Sequence, residues 1–250
     1  MKISIVTVVL NAEEFLEQCI RSVISQTYPE IEYIIIDGGS TDSSLAIIQQ
    51  YSDRVNALLS EKDRGIYDAM NKGISLATGE VIGILNADDF FADDRVVADI
   101  AAAFSGETDI VYGDLWYVGR HDTSKVFRKW ISRPFSRRAM EWGWMPAHPT
   151  FYARRALFLK HGNYNLKINS ASDYEIMLRF MYLNKSKSIY LNRIFVKMRM
   201  GGVSNRSVYN RLRASLNDMK AMRRNNIKWP WLKILIKPLR KINQYFNSYN

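Results

Sequence analysis

Apolar, β-branched runs of strand length recur through the first 119 residues, at Ile3–Val9, Ile31–Asp37, Val55–Ser60, Val81–Asn86 and Asp109–Val118. Between them the apolar spacing lengthens. Phe15, Leu16, Cys19, Ile20, Val23 and Ile24 return every three or four residues, which predicts an amphipathic helix. Leu45, Ile47 and Ile48 predict a second helix, Ile66 to Leu76 a third and Val96 to Phe104 a fourth. Strands that are nearly continuous in apolar residues, alternating with helices, predict a parallel sheet covered on both faces. Right-handed crossovers then bring the C-terminal ends of the strands to one edge, where such sheets bind ligands.

Beyond residue 119 the pattern changes. Residues 120–150 are rich in Arg, Trp and Pro and only weakly periodic, a long loop with short elements. Helical spacing resumes at Arg154–Lys160, Asp173–Leu183 and Val208–Asn225, with a strand at Ser188–Met198. In the tail, Lys228–Phe246, the residues Leu232, Leu235, Ile236, Leu239, Ile242 and Phe246 fall on one helical face. Lys233, Lys237, Arg240 and Lys241 lie largely elsewhere, and Trp229 and Trp231 stand at the start. That combination predicts a helix lying in a membrane interface, kinked at Pro238; the alternative is a helix docked on the protein's own core.

Composition narrows the class. Hydrophobic residues make up 47% and charged residues 24%, an ordinary globular balance that excludes a disordered or collagenous chain. The single cysteine, Cys19, excludes a disulfide framework, and His121, His148 and His161 lack metal-ligand spacing. With no signal-peptide pattern and no run near the ~20 apolar residues of a membrane span, the expectation is a cytosolic chain. The net charge of +10 is uneven: residues 1–119 carry −13 and residues 120–250 carry +23. The acidic half suits metal or nucleotide chemistry and the basic half an anionic partner.

Polar residues gather where the strands end. Thr7 lies near the end of the first strand, ahead of Asn11; Asp37-Gly38-Gly39-Ser40-Thr41-Asp42 closes the second; Glu61-Lys62-Asp63-Arg64-Gly65 follows the third; Asn86-Ala87-Asp88-Asp89 closes the fourth. Adjacent carboxylates are best tolerated where a cation or hydrogen bonds compensate them, and an all-oxygen set suits Mg²⁺ or Mn²⁺ bridging a diphosphate. Helix capping competes for these acids, although Asp93 and Asp94 are better placed to cap the next helix. Asp37 can accept from a base N–H or a ribose hydroxyl, and Gly38 lets a ligand approach the backbone. The absence of G-x-x-x-x-G-K-[ST] and G-x-G-x-x-G removes the main support for P-loop and dinucleotide-binding folds.

Taken in order, Ser22-Val23-Ile24-Ser25-Gln26-Thr27-Tyr28-Pro29, Ile34-Ile35-Ile36-Asp37-Gly38-Gly39-Ser40-Thr41-Asp42, Asp63-Arg64-Gly65-Ile66-Tyr67-Asp68-Ala69-Met70-Asn71-Lys72-Gly73, Ala77-Thr78-Gly79-Glu80 and Asn86-Ala87-Asp88-Asp89 resemble the family 2 glycosyltransferases of GT-A fold. The resemblance is strong over residues 1–119 and looser to about residue 205. It implies a Rossmann-like, mostly parallel central sheet with helices on both faces. Residues 1–119 would form the nucleotide-sugar-binding half, 120–205 the acceptor-binding half, and 206–250 a basic amphipathic helical extension that associates with membrane. It also implies an inverting hexosyl transfer from a nucleotide-activated sugar, usually with Mg²⁺ or Mn²⁺. Thr7, Asp37 and Asp63 then look like nucleotide contacts, with Asn11 and Gly38 beside them. Asp88 looks like the metal-associated acid of the family's DxD motif, with Asp89 next to it. The motif's first position is Asn86 here, so a ribose or metal contact from that position rests on an amide.

Inverting transfer needs a general base at the acceptor hydroxyl. The basic half has five acids: Asp122, Glu141, Asp173, Glu175 and Asp218. Asp173, in Ser172-Asp173-Tyr174-Glu175-Ile176, resembles the family's acidic motif before its acceptor-side helix and is the expected base, with Glu175 second. A helix-capping acid is the competing reading. His148, between Pro146 and Pro149, resembles the segment lining the acceptor side. Trp142 and Trp144 can stack on a sugar or simply pack. Arg199, Gly201, Gly202, Ser204 and Arg206 form a basic segment expected to close over the diphosphate. The expected partners are a nucleotide-diphosphate sugar, with UDP or dTDP favoured because Asp37 suits a pyrimidine N3–H, a lipid-diphosphate-linked saccharide and an anionic membrane surface. The expected place is the inner face of a bacterial cell membrane, in synthesis of O-antigen, capsule or exopolysaccharide; self-association as a homo-oligomer stays open. Two other functions compete. A basic nucleic-acid-binding module leaves Asp88 and Asp89 without a purpose. A sugar nucleotidyltransferase would want a Gly- and Arg-rich loop where Thr7-Val8-Val9-Leu10-Asn11 stands.

Overall fold

Val6 and Val8 of β1 (Ile3–Val9), Ile34 and Ile36 of β2 (Ile31–Asp37) and Ile82 and Ile84 of β4 (Val81–Asn86) pack in one hydrophobic cluster with Ala69, Met70 and Ile74 of α3 (Ile66–Leu76). Their strand neighbours Ile3, Ile5, Val9, Tyr33, Ile35, Val81 and Leu85 pack in a second cluster. There they meet Leu16, Cys19, Ile20 and Val23 of α1 (Leu16–Ile24) and Val96, Val97 and Ile100 of α4 (Val96–Ala103). Period-two alternation in strands buried on both sides thus sets two helical layers on one sheet. Burial of Leu16, Ile20 and Val23 alone contributes roughly 5–9 kcal/mol before chain entropy is counted.

The structure, a computed structural model, describes residues 1–201 and 208–234. Its remaining elements are α2 (Ser44–Gln49), β3 (Ala57–Ser60), β5 (Phe90–Phe91), β6 (Ile110–Val118), β7 (Val126–Trp130), α5 (Arg137–Glu141), β8 (Tyr152–Arg154), α6 (Arg155–His161), α7 (Ser172–Met177), β9 (Ser188–Arg199) and α8 (Val208–Arg224). The described residues form a nine-stranded sheet in the order β3-β2-β1-β4-β8-β6-β9-β5, with β7 paired to β6 off that path.

The expected mostly parallel sheet holds for β3-β2-β1-β4 and fails beyond it. β8 runs antiparallel to both β4 and β6, β9 runs parallel to β6, and β5 and β7 pair antiparallel with β9 and β6. The sheet is mixed because the weakly periodic stretch after β6 makes a hairpin strand and then returns as a short strand filling the gap beside β4. The helix expected over Asp173–Leu183 is α7 continued by a π-helical turn at Leu178–Leu183.

The tail begins against the protein itself. Ile227 is buried and Ile234 packs on the first cluster. Lys233, expected on a polar face, is 9% exposed, with Nζ 3.6 Å from Glu141. Trp229 and Trp231 remain exposed, at 69% and 56%. The rest of the expected interface helix, from Leu235 onward, lies outside the described residues, as do Gly202, Ser204 and Arg206. No helix among the described residues is long and apolar enough to cross a membrane.

Candidate active site

The C-terminal ends of β1 and β2 are laced together. Asn11, in the left-handed region at φ +49°, donates its backbone N–H to Ser40 Oγ at 2.9 Å and accepts the Thr41 N–H on Oδ1 at 2.8 Å. Asp37 is enclosed. Its carboxylate accepts the N–H groups of Gly39 and Ser40 at 3.2 Å and the Ser60 hydroxyl at 2.7 Å. It therefore shapes the loop at its own strand end.

Gly38 has a steric reason to be glycine: a Cβ there would stand 2.3 Å from Asp63 Oδ2. The Asp63 carboxylate lies against the backbone that follows Asp37, and it accepts the Gly65 N–H at 2.7 Å. Gly65 takes φ +116°, a conformation open mainly to glycine, and turns the chain into α3. Asp68 secures that start by accepting the backbone N–H of Arg64 at 3.0 Å. Its hydrogen bond from the Arg64 side chain is the main cause holding its carboxyl below the usual range.

Thr7 does not join this edge. It lies on the α1 face of β1, fully enclosed, where its hydroxyl accepts from Tyr33 Oη at 3.2 Å and sits 3.9 Å from Cys19 Sγ. Period two puts it on the face of Ile5 and Val9, two residues short of the strand end. Its expected nucleotide contact is corrected to a core position.

Asn86, Asp88 and Asp89 occupy the turn closing β4. Asp89 is buried, takes a hydrogen bond from Asn86 Nδ2 at 3.2 Å, and leaves Oδ1 without a donor; Asn86 Oδ1 is likewise enclosed without one. Burial, then the neighbouring Asp88 charge, push the Asp89 carboxyl well above the ordinary range. Asp88 is half-buried, and no described residue donates to its carboxylate. The two adjacent acids are therefore unlike: one enclosed and held toward its neutral form, the other available. The turn thus offers one available carboxylate and, enclosed on either side of it in the chain, undonated amide and carboxyl oxygens; few protein ligands, all of them oxygen, fit a cation that keeps positions for water and phosphate. No group of three or more His, Cys, Asp and Glu side chains forms a protein-only cage among the described residues.

Arg199 was expected in a segment closing over the diphosphate. It is instead the last residue of β9 and 5% exposed, its guanidinium between the rings of Phe15 and Phe90 at 4.5 and 4.9 Å. It donates to the backbone carbonyls of Asp88 and Arg120 at 2.6 and 3.1 Å and to Gln18. Pairing of β5 with β9 brings it there, so Arg199 holds the Asp88 turn.

On the acceptor side, Asp173 opens α7 and faces α3, close enough to the Tyr67 hydroxyl that burial and then the Asp173 charge push that phenol up. The Tyr67 ring lies 5.6 Å from that of Tyr164, whose hydroxyl is 2.7 Å from His148 Nε2. Burial pushes the His148 imidazole down to about 4, so it is neutral at physiological pH. Glu175, the second candidate base, is 2% exposed and paired with Arg179 at 2.8 Å, which removes it from that role. Trp144 packs edge-on to Tyr112, with the Arg133 guanidinium 5.4 Å over its ring. A cleft of about 720 Å³ lined by Pro134, Phe135, Arg137, Met181, Lys185 and Lys187 reaches the N-terminal end of β9 and contains none of these side chains.

Tyr67 and Asn71 stand inside the Asp63–Gly73 motif, where local pattern assigns neither a role, and Tyr164 lies in no motif. The signal was present for the first two: they are four residues apart in a predicted helix and so share a face.

The family model described as Glycosyl transferase family 2 matches residues 4–185. A PGL/p-HBAD biosynthesis glycosyltransferase of Mycobacterium bovis is 32% identical over 214 residues, covering 81% of this chain and 78% of that protein. The glycosyltransferase GlyG of Streptococcus pneumoniae is 28% identical over 207 residues, covering 76% and 68%. Among solved structures, S. aureus TarS 1–349 in complex with UDP-GlcNAc matches with a TM-score of 0.70 at 19% identity, over 100% of this chain and 76% of that one. The mannosyltransferase PcManGT from Pyrobaculum calidifontis, in complex with GDP-Man and Mn²⁺, matches with a TM-score of 0.66 at 17% identity, over 99% and 70%. These two share the fold.

Proposed function

The chain belongs to glycosyl transferase family 2, and on that premise we propose that it moves a hexose, with inversion, from a nucleotide-diphosphate sugar to a saccharide hydroxyl. A UDP-sugar is the favoured donor. The acceptor is a lipid-diphosphate-linked saccharide in the assembly of a bacterial surface polysaccharide. TarS, caught with UDP-GlcNAc, and PcManGT, caught with GDP-Man and Mn²⁺, support a nucleotide-sugar donor. The exposed Trp229 and Trp231, and the +23 charge of residues 120–250, support an anionic membrane as the place of work.

The carrying observation is that Tyr67, its ring packed on Tyr164, faces Asp173. Tyr67 stands on the helix that the Asp63–Gly65 turn starts, so one rigid element connects the donor-side loops to the acid proposed as base. The loops of Asn11, Asp37–Ser40 and Asp63 frame the nucleotide. Asp88, the available carboxylate of the turn that closes β4, would hold Mg²⁺ or Mn²⁺, which when bound supplies positive charge against the diphosphate. Asp173 accepts the acceptor hydroxyl's proton. The freed oxygen forms its bond to the anomeric carbon as the bond from that carbon to the phosphate oxygen breaks, and the electron pair leaves with the diphosphate. Attack opposite the leaving group inverts the centre.

Turnover of UDP-glucose, UDP-galactose, UDP-GlcNAc, dTDP-rhamnose and GDP-mannose, with and without EDTA, in the wild type and D173N, tests this. One donor should be consumed by the wild type, with D173N slower by about 10²–10⁴-fold. Equal turnover in the two proteins overturns the role of Asp173.

A further inference from the structure

We propose that α3 is a strut fixing the acceptor-side acid relative to the donor loops, with Tyr67 as the positioning residue for Asp173 and Asn71 as its anchor one turn further on. This rests on the reading of Asp173 as base.

Asn71 makes paired bonds to the backbone of Tyr164: its Nδ2 donates to the Tyr164 carbonyl and its Oδ1 accepts the Tyr164 N–H, both at 2.9 Å across 93 residues. An amide that satisfies both the donor and the acceptor of one residue fixes that residue in position and orientation. Tyr164 in turn packs on Tyr67 and holds His148. Tyr67, four residues before Asn71 and so on the same helical face, packs its ring on Tyr164 and sets its hydroxyl facing Asp173. Within α7 the Asp173 carboxylate also accepts the Tyr174 N–H at 2.7 Å. Two successive turns of α3 thus grip the two segments that carry the acceptor side. The start of α3 is set by Asp63 and Gly65, which lie against the Asp37 loop.

The consequence is chemical as well as geometric. A hydroxyl donating to a carboxylate favours its ionised form, the form a base needs. Tyr67 is itself a donor throughout the working range, because burial and then the Asp173 charge push its hydroxyl far above ordinary tyrosine. Tyr164 also faces Asp173, from the segment before α7, and burial raises its hydroxyl too. On the same helical run Glu175 and Arg179 are paired with each other. Asp218 of α8 and Glu141 of α5 act on the neighbouring Tyr174.

The test compares full-length wild type, Y67F, N71S, Y164F, D173N and the double variant Y67F/D173N with the nucleotide sugar that the wild type turns over, and with UDP binding by saturation transfer. Y67F should lower kcat about 10–100-fold while the donor KM and UDP binding stay within about twofold, and the acid limb of kcat should move to higher pH by about one unit. Y67F added to D173N should cost nothing further, as for a residue acting through Asp173. Y164F should leave the acid limb in place. N71S should lower kcat without weakening UDP, and it carries the test if Y67F does not fold. If D173N retains wild-type turnover, the base reading itself fails. If D173N collapses while Y67F keeps its kcat and its acid limb, or if Y67F loses UDP binding, the strut is wrong and the base stands.

Discussion

Nη1 of Arg199 lies 2.6 Å from the backbone carbonyl oxygen of Asp88, across 111 residues of sequence. That bond ties the end of β9 to the turn that follows β4, and the guanidinium supplies it from between two aromatic rings. R199A leaves the carbonyls of Asp88 and Arg120 without this donor and opens a void between Phe15 and Phe90. It is expected to destabilise the fold by about 2–4 kcal/mol in denaturant unfolding. R199K should recover only part of that, because an ammonium cannot span the same acceptors in a plane.

The two neighbouring acids should respond differently to the same change. Asp89 is enclosed, and burial followed by the Asp88 charge holds its carboxyl toward the neutral form, for which asparagine is close in shape. D89N is expected to stay within about 1.5 kcal/mol of wild-type stability. D88N should leave the thermal transition in place and lower turnover about 10²–10³-fold. Calorimetry and donor turnover on the two variants check the contrast; similar losses in both would contradict it.

G38A should act on the donor side alone. The new Cβ would stand 2.3 Å from Asp63 Oδ2, so the carboxylate or the loop must shift. The expected result is about tenfold weaker UDP binding, about 1.4 kcal/mol, with a cooperative unfolding transition retained. Titration calorimetry with UDP measures it, and G38A/D63A should regain stability lost to the clash.

His148 gives stability a pH dependence with a definite sign. In the unfolded chain its imidazole takes a proton below about pH 6.5. In the folded chain burial delays that to about 4. Between these values the unfolded state holds the extra proton, so stability falls as the pH drops through that window. At pH 5 the loss from this residue is about 2 kcal/mol relative to pH 7.5. H148Q should lose less stability than the wild type on the same acidification, as read by melting temperatures at the two pH values.

Much of the first 119 residues is legible from local pattern. The observed β1, β2, β4 and α3 begin and end where the apolar periods do, because each is buried on a face that the sequence repeats every two or every 3.6 residues. The loops of Asn11, Asp37, Asp63 and Asn86–Asp89 follow from the same pattern, since parallel strands with helical crossovers place their C-terminal ends together. β8 does not follow: three residues carry no readable period and no direction, and only the gap between β4 and β6 makes them a strand.

Residue type and position alone determined which side chains could do chemistry at the sheet edge, because strand ends and turn residues are local properties. Which of them are available was decided by contacts between distant segments. Thr7 is lost to the core by Cys19 and Tyr33, Glu175 to Arg179, and Arg199 to the Asp88 turn, whereas Asp173 is left facing Tyr67. Those partners meet only once the sheet closes and the helices dock, and the free energy that selects them is the burial and pairing of that closed state, which no local period records.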